Sequence, residues 1–203
     1  MNSVIGIRVD ATSYSDAIES VVTWAKAGGS HFVCASNVHM LMEAYDSPEF
    51  AHVVNSADLV TPDGVPLVWM MRFKGIHTQE RVYGPTLMLE LVKTAARENI
   101  PVGFYGSTPE VLTLLIKRLQ AISPELTVAF SSSPPFRALS QTEDDEAVIK
   151  INQSGVRILF VGLGCPKQEK WMADHRGKVQ AVMVGVGAAF DFHAGRVSQA
   201  PVW

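Results

Sequence analysis

The chain has 203 residues, 47% of them hydrophobic and 18% charged, and its 17 Lys and Arg are outnumbered by 20 Asp and Glu. This composition excludes a disordered or fibrous chain, and the lack of a basic run argues against nucleic acid as a partner. No segment approaches the ~18 consecutive apolar residues of a membrane span, and the N-terminus does not resemble a signal peptide. The two cysteines, Cys34 and Cys165, are too few for a disulfide framework, so we expect a globular protein of the reducing cytoplasm.

Short apolar runs alternate with longer helical patterns along the chain. We predict strands over residues 5–9, 31–35, 58–61, 102–105, 126–130, 157–161 and 181–186. We predict helices over residues 15–27, 47–57, 65–73, 85–98, 109–122, 143–153 and 166–176. Three of them begin with a proline, at Pro85, Pro109 and Pro166. This alternation predicts an α/β fold: a Rossmann-like, mostly parallel sheet with helices on both faces. Residues 131–145 are predicted to form a surface loop, with a hinge between two subdomains as the alternative.

Four predicted strand ends carry glycines and polar side chains. In an open α/β sheet, ligands bind beyond the carboxyl ends of the strands, where free N–H groups and helix dipoles favour anions. These strand ends therefore predict a site for a phosphorylated ligand; they comprise residues 35–39, 61–65, 162–169 and 185–191.

Asp63 lies between a proline and a glycine, directly before an apolar helix. The residue is either an N-cap of that helix or a general base at the edge of the sheet, and the pattern leaves both interpretations open. Arg81 precedes another predicted helix, where a guanidinium could bind a diphosphate or form a surface ion pair.

The segment 162–169 reads Gly-Leu-Gly-Cys-Pro-Lys-Gln-Glu. Lys167 and Gln168 fall in the first helical turn, within reach of a phosphate or a sugar hydroxyl. A lysine there opposes the helix dipole, which favours a functional role. Cys165 is predicted to be a packed residue rather than a nucleophile.

The segment 185–191 resembles a dinucleotide-binding fingerprint only loosely, because Phe190 replaces its third glycine. Asp191 could hold a ribose or a base, or cap a turn. His39 could contact a substrate, although the pattern favours a packed or solvated histidine. The chain contains no Asp-x-Asp triplet and no histidine pair four residues apart, so no metal site is expected.

Taken together, these strand ends resemble the bacterial TagA/WecG/CpsF glycosyltransferases, glycosyltransferase family 26. The resemblance runs from the first strand to the last residue and is carried by Asn37, residues 61–65, Arg81, Gly84, residues 164–169, residues 185–195 and Ala200-Pro201.

The resemblance implies a single catalytic domain over residues 1–203 that needs no metal or other cofactor. Such an enzyme would move a sugar, N-acetylmannosamine or a related hexose, from a UDP-sugar to a polyprenyl-diphosphate-linked saccharide, with inversion. It would act in cell-surface polysaccharide or teichoic acid synthesis, peripherally on the inner face of the plasma membrane.

The resemblance also implies roles for individual residues. Asp63 would be the general base, Arg81 would bind phosphate, Gln168 would orient sugar hydroxyls, and Asp191 would help to hold the uridine. The substrate-binding residues expected beside these are Ser36, Asn37, His39, Thr61, Gly164, Lys167, Gly185 and Gly187.

Two departures from the family pattern accompany the resemblance. Ala35 stands where many relatives have threonine, and the chain stops at Trp203, before the membrane-docking appendage with which relatives continue. We expect membrane docking and full activity to need that segment, and its loss to expose apolar surface that favours a homo-oligomer. The alternatives are a nicotinamide-dependent oxidoreductase and a non-catalytic nucleotide-binding module.

Overall fold

In the computed structural model the described residues are 2–199. The residues Ala200-Pro201 that contribute to the family resemblance, and the last two residues, lie outside this range. The strands are β1 (Ser3–Val4), β2 (Ile7–Arg8), β3 (His31–Ser36), β4 (Leu59–Pro62), β5 (Val102–Gly106), β6 (Val128–Ser132), β7 (Ile158–Gly162) and β8 (Val182–Gly185). The helices are α1 (Tyr14–Ala27), α2 (Val38–Asp46), α3 (Pro48–Asn55), α4 (Val65–Phe73), α5 (Gly84–Arg97), α6 (Pro109–Ile122), α7 (Gln141–Gln153), α8 (Lys167–Asp174) and α9 (Ala189–Ala194).

The main sheet has six strands in the order β4-β3-β8-β7-β5-β6, and every neighbouring pair is parallel. Helices cover both faces. One hydrophobic core lies between the sheet and α1, α5, α6 and α9, and a second lies between the sheet and α2, α3, α4 and α8. The predicted α/β, Rossmann-like class is therefore confirmed, and the carboxyl ends of all six strands meet at one edge.

The predicted first strand over residues 5–9 is wrong. Residues Ile5 and Gly6 form the turn of a small antiparallel hairpin, β1–β2, which is separate from the main sheet. Both turn residues have positive φ, 46° and 83°, as a two-residue hairpin loop requires.

Two helices lie where none was predicted. Helix α2 begins directly after β3 because the Asn37 side chain accepts a hydrogen bond from the backbone N–H of Met40, a cap that the sequence analysis did not use. The short helix α9 follows β8 and is capped at its C-terminus by Gly195, whose backbone has the left-handed conformation.

The predicted loop over residues 131–145 is too long at both ends. Strand β6 continues to Ser132, and α7 begins at Gln141, so the connection covers 133–140. A capping box explains the early start of α7: Ser140 and Glu143 exchange side-chain-to-backbone hydrogen bonds. Pro85 and Pro109 lie in the first turns of α5 and α6 as predicted, whereas Pro166 is the N-cap of α8.

Candidate active site

Asp63 follows the last residue of β4 at the carboxyl edge of the sheet. Its backbone N–H donates to the carbonyl of Ser36 over 2.8 Å, which ties the ends of β3 and β4 together. Gly64, not Asp63, is the N-cap of α4, and no side chain caps that helix. The N-cap interpretation of Asp63 is therefore wrong, and its carboxylate is free for another role.

Arg81 and Gly84 hold the Asp63 carboxylate in place. The Nη2 atom of Arg81 lies 3.2 Å from Oδ1 of Asp63, and its Nε donates to the Asp63 carbonyl. The guanidinium also lies over the ring of Tyr83, 4.0 Å from the centroid. The backbone N–H of Gly84 also lies near this carboxylate and lowers its pKa. The ion pair predicted as one alternative for Arg81 is therefore present, with a partner that is only 8% exposed, and its role in phosphate binding stays a prediction.

Burial raises the pKa of Asp63 to about 6, against the opposing effects of the Gly84 N–H and the Arg81 guanidinium. Near neutral pH the Asp63 side chain is mostly ionised, yet it binds a proton more readily than an exposed aspartate does. A carboxylate tuned in this direction is suited to accept a proton from a hydroxyl.

Two buried hydroxyls lie on the strands beside Asp63. Ser36 and Thr61 are both 0% exposed, and neither hydroxyl has a hydrogen-bond partner within residues 2–199. In contrast, Asn37 and His39 are exposed. Asn37 caps α2, and His39 pairs with Glu43 over 3.4 Å, so the structure gives these two residues local roles at the edge of the site.

Gln168 joins the start of α8 to the end of β8. Its Oε1 accepts a hydrogen bond of 3.1 Å from the backbone N–H of Gly187, and its Nε2 donates to Glu169 Oε1 over 2.7 Å. A Cβ at Gly185 would lie 3.2 Å from Gln168 Nε2, so the glycine allows this close packing. Gln168 is only 4% exposed, and its expected role in orienting sugar hydroxyls stays a prediction.

Glu169 is a buried acid that the sequence analysis did not select, although it adjoins Gln168 in the same motif. It is 0% exposed, its Oε2 has no partner among the described residues, and burial raises its pKa. Burial likewise raises the pKa of the Cys165 thiol, which agrees with the prediction of a packed cysteine.

A cleft of about 1060 Å³ lies beyond the ends of β5, β7 and β8. Of the predicted residues it brings together Gly164, Lys167, Gly187 and Asp191, whereas Asp63, Arg81 and Gln168 are not part of its wall. Strand β3 lies between β4 and β8 in the sheet, and its Cys34 pairs with Gly185 of β8. Asp63, which follows β4, and the cleft beyond β8 therefore lie on either side of the carboxyl end of β3.

The far wall of the cleft was not predicted from the sequence. Trp171 stacks between Tyr105 and His175, with ring centroids 4.6 and 4.2 Å away. His175 Nε2 lies 2.9 Å from Asp144 Oδ2, which links α8 to α7. Residues 134–139 complete this wall. No local pattern marks these positions, because the contacts join segments that are far apart in sequence.

Across residues 2–199, no group of three or more His, Cys, Asp or Glu side chains is placed to hold a metal ion. In the same part of the chain, every helix is too short or too polar to cross a bilayer.

Comparison with known proteins identifies the family. The profile of the WecG/TagA/CpsF glycosyl transferase family matches residues 2–203. Similar proteins include N-acetylglucosaminyldiphosphoundecaprenol N-acetyl-beta-D-mannosaminyltransferases. The one from Bacillus spizizenii is 29% identical over 99% of this chain and 76% of its own length. Those from Bacillus subtilis and Staphylococcus aureus are each 26% identical, over 97% and 98% of this chain and 75% and 77% of their own lengths. This chain is therefore a sugar transferase and belongs to the WecG/TagA/CpsF family.

Proposed function

We propose that this chain transfers N-acetylmannosamine, or a related hexose, from a UDP-sugar to a saccharide carried on a polyprenyl diphosphate. The product would be a precursor of a cell-surface polysaccharide or teichoic acid. The names of the relatives, which specify an N-acetylmannosaminyl group and a diphosphoundecaprenol acceptor, support the substrate class. The observation that carries the chemistry is the buried Asp63 carboxylate held by Arg81.

Asp63 would act as the general base. Its carboxylate accepts the proton of the acceptor hydroxyl while that oxygen forms a bond to the anomeric carbon of the donor. The bond from that carbon to the diphosphate breaks in the same step, and UDP leaves with the electron pair. A single displacement of this kind inverts the anomeric centre. A positioned base contributes about 10²- to 10⁴-fold to such a step.

Arg81 has a second role in this proposal. One edge of its guanidinium orients Asp63, and its side chain is still 40% exposed. The exposed portion can approach a phosphate oxygen of either substrate. Because arginine stays charged at all relevant pH values, it stabilises developing negative charge without a proton transfer.

The donor nucleotide would occupy the cleft beyond β5, β7 and β8. Lys167 at the start of α8 and Lys178 supply positive charge at its wall, and Asp191 supplies a carboxylate for the uridine. We propose that these cations neutralise the leaving diphosphate in place of a metal ion. Gln168, anchored on Gly187, would keep the end of β8 in position beneath the donor.

The lipid-linked acceptor places the reaction at a membrane surface, and we propose the inner face of the plasma membrane. Homo-oligomerisation of the chain also stays a prediction.

The test combines turnover, binding and product analysis. UDP-N-acetylmannosamine and a short-chain N-acetylglucosaminyl diphospholipid are supplied with and without EDTA, and UDP release is measured. We expect turnover to survive EDTA and the product to show the inverted anomeric coupling by NMR.

Asp63→Asn should retain UDP binding and lose at least about 100-fold in kcat. The matched control is Asp10→Asn, which alters another arginine-paired carboxylate, 2.8 Å from Arg8. Turnover by Asp63→Asn within tenfold of the control would exclude Asp63 as the base, and retention of configuration would exclude single displacement.

A further inference from the structure

Glu169 is a buried acid that the proposed function does not use. It lies on α8 and is 0% exposed. Its Oε1 accepts a hydrogen bond of 2.7 Å from Nε2 of Gln168, whereas its Oε2 has no partner within residues 2–199. A buried acid with an unpartnered oxygen destabilises a fold, so its presence at this position calls for an explanation beyond packing.

The contact with Glu169 determines which way the amide of Gln168 faces. A glutamine amide carries an acceptor oxygen and a donor NH₂ group at nearly equivalent positions, so a half turn about its last bond exchanges them with little change in shape. Gly187 presents a backbone N–H to this amide, and Glu169 presents an oxygen. One orientation satisfies both neighbours, with Oε1 of Gln168 3.1 Å from the N–H of Gly187 and Nε2 towards Glu169. The reverse orientation would set two donors against each other at Gly187.

Glu169 can accept this hydrogen bond with or without a proton. Burial raises the pKa of Glu169, and the hydrogen bond from Gln168 opposes that rise. When the group is protonated, the proton belongs on Oε2, because Oε1 faces an N–H. Oε1 is then the carbonyl oxygen and still accepts. The orientation of Gln168 therefore depends on an oxygen at this position and not on a negative charge.

The amide of Gln168 packs closely against the end of β8. A Cβ added to Gly185 would lie 3.2 Å from Nε2 of Gln168 and 2.7 Å from Cε of Met172. A Cβ added to Gly187 would lie 3.7 Å from Oε1 of Gln168. A change in the orientation of this amide would therefore be felt directly by the backbone that follows β8.

Gly187 connects this amide to the cleft. It lies just beyond β8 and lines the cleft, and Asp191 of α9 lines it as well. Gln168 and Glu169 are not among the described residues that form the wall of the cleft. Across residues 2–199, the hydrogen bonds of Glu169 thus lead to the cleft wall through Gln168 and then Gly187.

We propose that Glu169 is a positioning residue of the donor site. Its oxygen selects the orientation of Gln168 in which the amide holds Gly187, and it thereby keeps the segment from Gly187 to Asp191 in the shape that binds the donor nucleotide. This inference rests on the proposed function, which places the nucleotide in the cleft. Because that segment binds the donor in the ground state and in the transition state alike, loss of Glu169 should raise the KM for the donor and leave kcat nearly unchanged.

The first test follows the Gly187 amide by NMR in the full chain, without any substrate. Glu169→Met removes the acceptor at similar size, so it should move the Gly187 amide signal and speed its hydrogen exchange at least about tenfold. Glu169→Gln keeps an oxygen in place and should leave both near their wild-type values. The matched control is Met172→Leu, which alters the packing at Gly185 without removing a hydrogen bond. A Gly187 amide that is unchanged in Glu169→Met, or changed equally by the control, would overturn the inference.

The second test measures UDP affinity by calorimetry and turnover with the donor. Glu169→Met should weaken UDP binding about tenfold and raise the donor KM by the same factor, with kcat within about twofold of wild type. Glu169→Gln should stay within about threefold of wild type in UDP affinity, because its side-chain oxygen can replace the lost acceptor. Equal losses in the two variants would show that the charge of Glu169 matters and not the orientation of Gln168, which would overturn the inference.

A double-mutant cycle shows whether Glu169 acts through Gln168. The chain that carries both Gln168→Met and Glu169→Met should bind UDP as weakly as Gln168→Met alone, whereas losses that multiply would overturn the route through Gln168. Failure of sugar transfer by the wild type, with a Gly187 amide that still depends on Glu169, would refute the proposed function alone. Sugar transfer by the wild type, with the Gly187 amide and UDP affinity unaltered in Glu169→Met, would refute this inference alone.

Discussion

Asp63→Asn is expected to abolish sugar transfer and to stabilise the folded protein at neutral pH. Asparagine has nearly the same shape as aspartate but carries no charge. The wild-type protein must bury a carboxylate that is 8% exposed, and the pKa of that group rises from 3.8 to about 6 as a result. The contacts with Arg81 and Gly84 therefore do not fully offset the loss of water around the charge.

The magnitude follows from linkage between proton binding and folding. A pKa change of one unit corresponds to about 1.4 kcal/mol. The rise from 3.8 to about 6 therefore means that ionised Asp63 destabilises the fold by about 3 kcal/mol. Because folding raises the pKa of this acid, the stability of the folded protein falls as the pH rises. Below about pH 4 the group is protonated in both states and costs nothing. The cost accumulates between about pH 4 and about pH 6, where only the folded state holds the proton, and is complete above that range.

The assay is urea denaturation of both proteins from pH 4 to pH 8. We expect Asp63→Asn to be more stable by up to about 3 kcal/mol at pH 8, which corresponds to up to about 6–12 °C in Tm for a chain of this size. The difference should shrink towards zero near pH 4. A gap that does not change with pH, or a variant less stable than wild type at pH 8, would refute the reasoning that burial of the charge raises this pKa.

Further predictions concern the base and the glycines. The wild-type kcat/KM should rise with pH up to about 6 and then level off, because Asp63 must be ionised; a flat profile from pH 5 to 8 would contradict this. In Gly84→Ala, the new Cβ would lie 3.3 Å from Oδ2 of Asp63, so kcat should fall about tenfold while calorimetry shows unchanged UDP affinity. Gly106→Ala should lose at least about 3 kcal/mol in urea unfolding, because Gly106 has a φ of 129° and a Cβ there would meet the backbone of Gly162. Gly155→Ala, with a φ of 74° but open space around it, should lose only about 1 kcal/mol of unfolding free energy. Equal losses in the two variants would show that the contact with Gly162 does not contribute.

Local patterns were sufficient to predict most helices and strands. The bounds of α4 and α6 agree with the prediction at both ends, because apolar periodicity and an N-terminal proline both mark these helices. Where local signals were weak the prediction was wrong: Ile5 and Gly6 form a hairpin turn, and α2 begins at an Asn37 cap that was not recognised.

Part of the candidate site could also be predicted before the structure. In a parallel sheet all carboxyl ends lie at one edge, so polar residues after β3, β4, β7 and β8 had to lie near one another. The ends of β3 and β4 lie together as this rule requires, since the Asp63 N–H donates to the Ser36 carbonyl over 2.8 Å. The contact of Asp63 with Arg81, which follows no strand, does not come from this rule. The rule does not say which strands are neighbours, and it could not separate the residues around Asp63 from those that line the cleft.

The sequence by itself determined the α/β class, the helices and strands with strong periodicity, and the chemistry available at the strand ends. These properties depend on residues close together along the chain. Only the tertiary structure decided the strand order β4-β3-β8-β7-β5-β6, the burial of Glu169 and the anchoring of Gln168 on Gly187. The same is true of the pKa of Asp63 and of the wall formed by Trp171 and His175. Each of these depends on desolvation and packing between segments distant in sequence, and such contacts leave no signal in the local pattern of either segment.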